Sequence, residues 1–280
     1  MKTLRLLYPD FAAGGLETYY LGAALLDVIV PPTPDARTVR VAIEPPAGDH
    51  YRVTDGIYAA DVVVDGMREA RRLLEEATPE RVLTLGGNCI VSAAPFDYLH
   101  RRYPRAGILW LDAHPDVSLP ENGYPNAHAM VLGSLLGRGP ETLTAELSAP
   151  FAPEDLLYVG LQPVLDYQKH FLEKAGVRYK TDGSVSEAEI LDFIAQHEVI
   201  FIHLDVDVLD ERYFSDTYFA NPALTGDGSG GGRMRLGELA RILQLADQAG
   251  VIAALSVAEY LPFSAEGLRN ALSGLSLFGK

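Results

Sequence analysis

Seven short, nearly continuous apolar runs separated by longer stretches of helical period constrain this chain more than any other feature. The runs are Leu4–Leu7, Val39–Ile43, Val82–Leu85, Ile108–Leu111, Leu156–Val159, Val199–Ile202 and Val251–Leu255. Runs this short and this apolar are expected of strands covered on both faces. Between them, Ala60, Val63, Val64, Met67 and Leu74 mark one face of a helix running from about Ala59 to Glu76. Further helices are expected over Leu165–Ala175, Glu187–Gln196, Leu236–Ala249 and about Ala265 to Leu277. Pro79-Glu80 falls before a strand and Gly250 follows a helix, as loop and cap residues should. The alternation implies an α/β fold, a three-layer sandwich with a mostly parallel sheet and helices on both faces. Glycine and proline are scattered and no repeat is visible, so residues 1–280 are expected to form a single domain.

In sheets of this kind ligands bind beyond the carboxyl ends of the strands, so the residues following each run matter most. Gly86-Gly87-Asn88-Cys89 follows the third run and Asp112-Ala113-His114-Pro115-Asp116 the fourth. His203-Leu204-Asp205-Val206-Asp207-Val208-Leu209-Asp210 follows the sixth, and Ser256-Val257-Ala258-Glu259 the seventh. Acids, a histidine and a cysteine should therefore meet on one rim. Spacing by two puts Asp112, His114 and Asp116 on one side of an extended backbone, and Asp205 with Asp207 on another. Such acids can also cap helices or pair with surface arginines, but two spaced clusters at strand ends argue for a shared centre. Four carboxylates and an imidazole there would repel one another without cations. Two divalent ions would neutralise the four carboxylates, and oxygen-rich ligands with one histidine suit Mn²⁺. A metal pair about 3.5–4 Å apart can lower the pKa of a water held between them.

Composition removes other partners. A formal charge of −15 repels phosphate backbones and anionic lipid, so neither nucleic acid nor membrane is expected. The single cysteine, Cys89, excludes an intrachain disulfide. The opening MKTLRLLYPD breaks its apolar run at Arg5 and is too short for a signal-peptide core. A cytoplasmic protein is expected.

The Asp112–Asp116 segment resembles the Asp-Ala-His-x-Asp motif of the ureohydrolase family of arginases, agmatinases and formiminoglutamases. Asp205–Asp210 is similar to its Asp-x-Asp-x-Leu-Asp motif. Gly86–Cys89 stands where the family has Gly-Gly-Asp-His, and Asn126-Ala127-His128 and Ser256–Glu259 resemble two further segments in the right order. The likeness spans roughly Val82 to Pro262. It implies two Mn²⁺ ions bridged by Asp112 and Asp205, with Asp116 and residue 89 completing one site and His114 and Asp207 the other. It implies His128 as a proton shuttle and Glu259 as the acid gripping a guanidinium through parallel charge-assisted bonds. Asn126 corresponds to a contact with an α-carboxylate, and Ser118 falls near another such position. Taken singly, a histidine is often merely packed and a glutamate merely exposed; His128 and Glu259 gain weight from their matching segments.

The chain departs from the family at Cys89, which replaces a metal-binding histidine, and at Asn88, which replaces an aspartate. Cys89 is either a small buried hydrophobe or a thiolate ligand at whose site Zn²⁺ competes. A cysteine here resembles a branch that hydrolyses Nω-hydroxy-L-arginine to hydroxyurea and ornithine. After Gly160-Leu161 the family's amino-group acids are missing, which argues against plain L-arginine. The expected activity is therefore an amidinohydrolase acting on a small guanidino or hydroxyguanidino substrate. The alternatives are another linear amidine (agmatine, formiminoglutamate, arginine) and a non-catalytic metal- or ligand-binding relative. The resemblance also implies a homo-oligomer, trimer or hexamer. The glycine-rich segment Asp210–Gly232 is either a rim over the pocket or a solvated linker.

Overall fold

The computed structural model describes residues 1–48, 50–181, 185–224 and 228–278. In chain order the elements are β1 (Thr3–Tyr8), α1 (Thr18–Ile29), β2 (Arg37–Arg40), β3 (Val53–Thr54), β4 (Ile57–Tyr58), α2 (Ala60–Ala77), β5 (Arg81–Gly86), α3 (Ala93–Arg102) and β6 (Ala106–Leu111). They continue with α4 (Val131–Leu135), α5 (Glu141–Thr144), β7 (Leu156–Val159), α6 (Asp166–Ala175), α7 (Glu187–Ala195), β8 (Val199–Asp205), α8 (Leu236–Ala249), β9 (Ile252–Ala258) and α9 (Phe263–Ser273). Seven strands form one sheet in the order β2-β1-β5-β9-β8-β6-β7, every pair parallel, while β3 and β4 make a small separate hairpin. The expected α/β sandwich is what the chain forms.

Strand alternation sorts side chains into two buried layers. Along β1, Leu4, Leu6 and Tyr8 join a cluster that includes Val63, Met67 and Leu74 of α2 and Phe96 and Leu99 of α3. Leu7 points the other way, into a cluster with Ala23 and Leu26 of α1, Phe193 of α7 and Ile242 of α8. Ile108 and Trp110 of β6 lie in the first layer, Leu109 and Leu111 in the second. β6 and β8 are buried along their whole lengths, which explains their uninterrupted apolar sequences. Truncating a fully buried side chain such as Leu74 to alanine would cost about 2–5 kcal/mol.

Some boundaries differ from the sequence expectation. The run Val39–Ile43 reads as an inner strand, but β2 stops at Arg40 and is mostly exposed, because it is the sheet's edge. β8 and β9 run three residues past their apolar runs, so Asp205 is itself the last residue of β8. α9 begins two residues before Ala265 and ends at Ser273 rather than Leu277. The periodicity gave no indication of α1 or α3. α1 lacks a polar face, with Val28 and Ile29 exposed at its end, and α3 carries Pro95 in its first turn. Among the described residues no helix is long and apolar enough to cross a membrane.

Candidate metal centre

The carboxyl ends of β5, β6, β8 and β9 lie side by side, and each delivers part of one basin. At two of them the same local device sets the geometry. Asp112 Oδ1 accepts from the His114 backbone N–H at 2.6 Å, and Asp205 Oδ1 accepts from the Asp207 N–H at 2.7 Å. Each aspartate thus folds its own turn over the residue two positions on. Spacing by two works here through a turn and not through a continued strand, which corrects the extended-backbone reading. Asp116 follows in a left-handed conformation, φ 51°, as does Glu259 at φ 63° after β9. For residues with a side chain such conformations cost about 1–3 kcal/mol each, and they collect at functional sites.

After β5, Gly87 and Asn88 shape the turn that presents Cys89. A Cβ on Gly87 would lie 1.6 Å from the Asp10 carbonyl oxygen, so only glycine fits. Asn88 donates to Asp10 Oδ1 at 2.8 Å and accepts from the Ile90 N–H at 3.2 Å, capping the short turn Cys89–Ser92.

The side chains meet in three overlapping groups, each with donor atoms all within 4.8 Å of one another: Cys89, Asp112, Asp116 and His203; Asp112, His114 and Asp207; and Cys89, His128 and Glu259. Asp112 belongs to the first two, and Cys89 to the first and third. His114 Nδ1 is 3.1 Å from Asp207 Oδ2 and 3.6 Å from Asp112 Oδ1, while Cys89 Sγ is 3.1 Å from Asp205 Oδ2. Burial, with neighbouring carboxylates, pushes Asp112, Asp116 and Asp205 well above the usual carboxylate range. Burial acts on Asp207 too, but His114, together with hydrogen bonds involving Asp205 and the Ala113 N–H, outweighs it and lowers the Asp207 pKa. On His114 burial opposes charge, yet Asp207, Asp112 and Asp116 raise its pKa to about 10. Burial and the surrounding carboxylates raise the Cys89 thiol. Burial lowers His203 to about 3.

This donor set fits divalent cations. Asp116 Oδ2 and His203 Nε2 are buried without a hydrogen-bond partner. An unsatisfied buried polar atom costs about 1–3 kcal/mol, and a cation between these groups would satisfy both. Carboxylate oxygens, imidazole nitrogens and a thiol form a ligand set that accepts Mn²⁺ or Zn²⁺.

Beside the basin, His128 Nδ1 lies 2.9 Å from Glu259 Oε1, and Cys89 Sγ lies 3.6 Å from the same oxygen. Tyr19 at the start of α1 donates to Glu259 Oε2. His128 Nε2 lies 3.0 Å from the Tyr124 hydroxyl, which accepts from Asn126 Nδ2 at 3.3 Å. Ser118 is buried with its hydroxyl 3.1 Å from that of Tyr167. A pocket of about 590 Å³ opens onto the basin, lined by Cys89, His114, Asp116, Ser118, Asn126, His128, Asp205, Asp207 and Glu259. Asp112, fully buried, sits behind that lining. Tyr218, Phe219 and Ser229 of the glycine-rich segment border the pocket, and the Gly230 carbonyl lies 3.1 Å from His114 Nε2. The segment is therefore rim and not merely linker; its residues 225–227 lie outside the described residues.

The sequence-predicted residues thus fall in one place. Reasoning from sequence missed Tyr19, Tyr124, Trp110 and His203. Trp110 Nε1 donates to Asp112 Oδ2 at 2.8 Å, and its ring stacks on His203 at 3.7 Å. His203 precedes Asp205 by two on the same strand, and that alternation was the available clue.

A family model described as the arginase family matches residues 42–278. An arginase from Staphylococcus aureus (strain COL) is 25% identical over 207 residues, covering 70% of this chain and 66% of that protein. An N(omega)-hydroxy-L-arginine amidinohydrolase from Streptomyces lavendulae is 30% identical over 189 residues, 62% of this chain and 66% of that one. The aligned stretch of an Entamoeba histolytica arginase spans 41% of its length, so the matches to these curated relatives reach between two-fifths and two-thirds of their lengths. In structure, an E. histolytica arginase superposes with a TM-score of 0.79 at 19% identity, over 100% of this chain and 99% of that one. With the family model matching most of its length, the chain belongs to the arginase family.

Proposed function

We propose that the chain is a metal-dependent amidinohydrolase that cleaves a C–N bond of a guanidino or hydroxyguanidino compound, with Nω-hydroxy-L-arginine as its preferred substrate. The observation that carries this reading is the pair of donor groups sharing Asp112, with Glu259 and His128 beside them. Asp112 and Asp205, with Asp116 and Cys89 on one side and His114 and Asp207 on the other, would hold two ions. Two Mn²⁺ are the preferred ions, with Zn²⁺ competing at the Cys89 site. Bound there, such ions lower the pKa of water and supply a nucleophile near neutral pH.

The chain's own residues bind, orient and move protons. Glu259, fixed by Tyr19, accepts bonds from the substrate's guanidino head and aims its central carbon at the basin. His128, held between Glu259 and Tyr124, hands a proton to the departing amine. Asn126 and Ser118 on the pocket wall meet the amino-acid end. The pocket's volume falls in the range of sites that enclose a small ligand.

Two observations support the hydroxyguanidine. As a thiolate, Cys89 would add a fifth anionic donor against a total of +4 and so raise the pKa of water at the ions; a less basic, neutral head suits such a site. The S. lavendulae relative carries that activity in its name. The S. aureus arginase keeps plain arginine as the second reading. By family likeness the working form is a homo-oligomer, trimer or hexamer. The test is release of urea or hydroxyurea from a panel of arginine, Nω-hydroxy-L-arginine, agmatine and formiminoglutamate, with Mn²⁺ added and removed. Metal-dependent turnover of hydroxyarginine well above arginine is expected. Two ions bound with no turnover of any compound would overturn the proposal.

A further inference from the structure

We propose that His203 is a metal ligand in its own right, its Nε2 completing the set formed by Cys89, Asp112 and Asp116. The inference rests on the metal reading above and extends it to a residue that the family motifs leave unassigned.

His203 lies on β8, two residues before Asp205 and on the same strand face, so its side chain rises toward the basin from below. It is fully buried, and its ring is held flat against Trp110, centroids 3.7 Å apart and planes 12° apart. Its two nitrogens meet different surroundings. Nδ1 is 2.8 Å from Ser92 Oγ, within hydrogen-bond range. Nε2 has no hydrogen-bond partner; the nearest carboxylate oxygen, Asp112 Oδ2, is 3.8 Å away, too far for a bond. That oxygen already accepts from Trp110. In the tautomer whose Nδ1–H donates to Ser92, Nε2 turns a bare lone pair toward carboxylate oxygens, an arrangement that is repulsive unless a cation lies between them. Asp116 Oδ2, also buried and unpartnered, belongs to the same group, whose donor atoms all fall within 4.8 Å of one another.

His114 holds the corresponding place on the opposite side. Its Nε2 faces the Gly230 carbonyl at 3.1 Å and its Nδ1 faces Asp207 at 3.1 Å. One ring nitrogen bonded to an outer partner and the other free toward the centre is the usual state of a metal-binding histidine. His203 meets this criterion as it stands, and His114 would meet it once a cation replaced the contact between Nδ1 and Asp207. The Cys89 side would then offer sulfur, nitrogen and two carboxylates, a softer set than Asp112, His114 and Asp207, and it should prefer Zn²⁺ or Co²⁺ over Mn²⁺.

The test compares wild type with His203→Phe, which keeps the stack on Trp110, and with His203→Leu, which changes the shape instead. Ions per chain are counted by elemental analysis after equilibration with Co²⁺. Imidazole N–H protons shifted by the bound Co²⁺ are counted by NMR in water. Wild type should bind two ions and show two exchangeable shifted N–H resonances. Both variants should lose one resonance and bind one ion roughly 100-fold more weakly, with the second unchanged. Two ions with unchanged affinities and both resonances in the variants would overturn the assignment of His203 while leaving the metal reading intact. No ion bound by wild type would overturn the metal reading itself.

Discussion

The two sides of the basin are built alike and placed differently. On the Asp112–His114–Asp207 side, His114 is half-buried, lines the pocket and touches the glycine-rich rim through Gly230 and Phe219. On the Cys89–Asp116–His203 side every group is buried, and two polar atoms have no partner. On the first side the charges satisfy one another in part, because His114 sits between two aspartates. The second is more deeply buried, although Cys89 and Asp116 still reach the pocket, and it is unfinished without a cation. An ion on the first, more open side can exchange freely through the pocket, whereas an ion on the second, more closed side serves also to complete the interior. Loss of metal should therefore harm activity through either side, and stability mainly through the closed one.

The largest effect expected is from removing both ions with a chelator. Turnover should fall to background. The thermal midpoint should drop by roughly 5–10 °C for each ion lost, the equivalent of about 2.7 kcal/mol of linked binding per site at a hundredfold excess over Kd. Calorimetry with and without chelator checks this, and an unchanged midpoint would break the contrast between a closed and an open side. Next, His128→Ala should lower kcat by about 10²–10⁴-fold with two ions still bound, because His128 contacts Glu259 and Tyr124 rather than the Asp112 groups. Loss of an ion in that variant would mean that the wall and the basin are not separable.

Cys89→His should hold the closed-side ion more tightly or move the acidic limb of the pH–rate profile down by about one unit. The sign follows from charge: replacing a thiolate by a neutral imidazole makes the ions' surroundings less negative, so water at them ionises at lower pH. If neither metal retention nor the profile changes, Cys89 is only a packed thiol. The smallest effect is expected from Tyr19→Phe. Losing the hydroxyl that fixes Glu259 should raise KM for guanidino substrates by about tenfold with metal content unchanged, measurable by steady-state kinetics.

The candidate metal-binding side chains were largely legible in the sequence because each strand-end aspartate dictates a local turn, and a local turn leaves a fixed spacing. Asp112 with His114 and Asp205 with Asp207 carry that signature. The sheet was legible because β6 and β8 are buried throughout, whereas β2, an exposed edge, was misplaced by its apolar residues. Tyr19, Tyr124 and Trp110 left no such trace. Tyr19 reaches Glu259 across 240 residues and Trp110 stands inside a strand, where an aromatic residue is indistinguishable from core, while Tyr124 sits in a loop four residues before His128 with no periodicity to mark it. His203 stood in view at the end of its apolar run, two residues before Asp205, but one imidazole beside the more telling aspartates reads as packing until its free nitrogen is located.

The most direct test of the account is the metal content of the purified chain, by elemental analysis after equilibration with Mn²⁺ and removal of free ion. Two divalent ions per chain are expected, with both lost when Asp112, common to the two donor groups, is replaced by alanine. A chain that binds no ion and keeps its thermal midpoint in chelator would contradict it, since the clustered carboxylates would then be held by protonation alone.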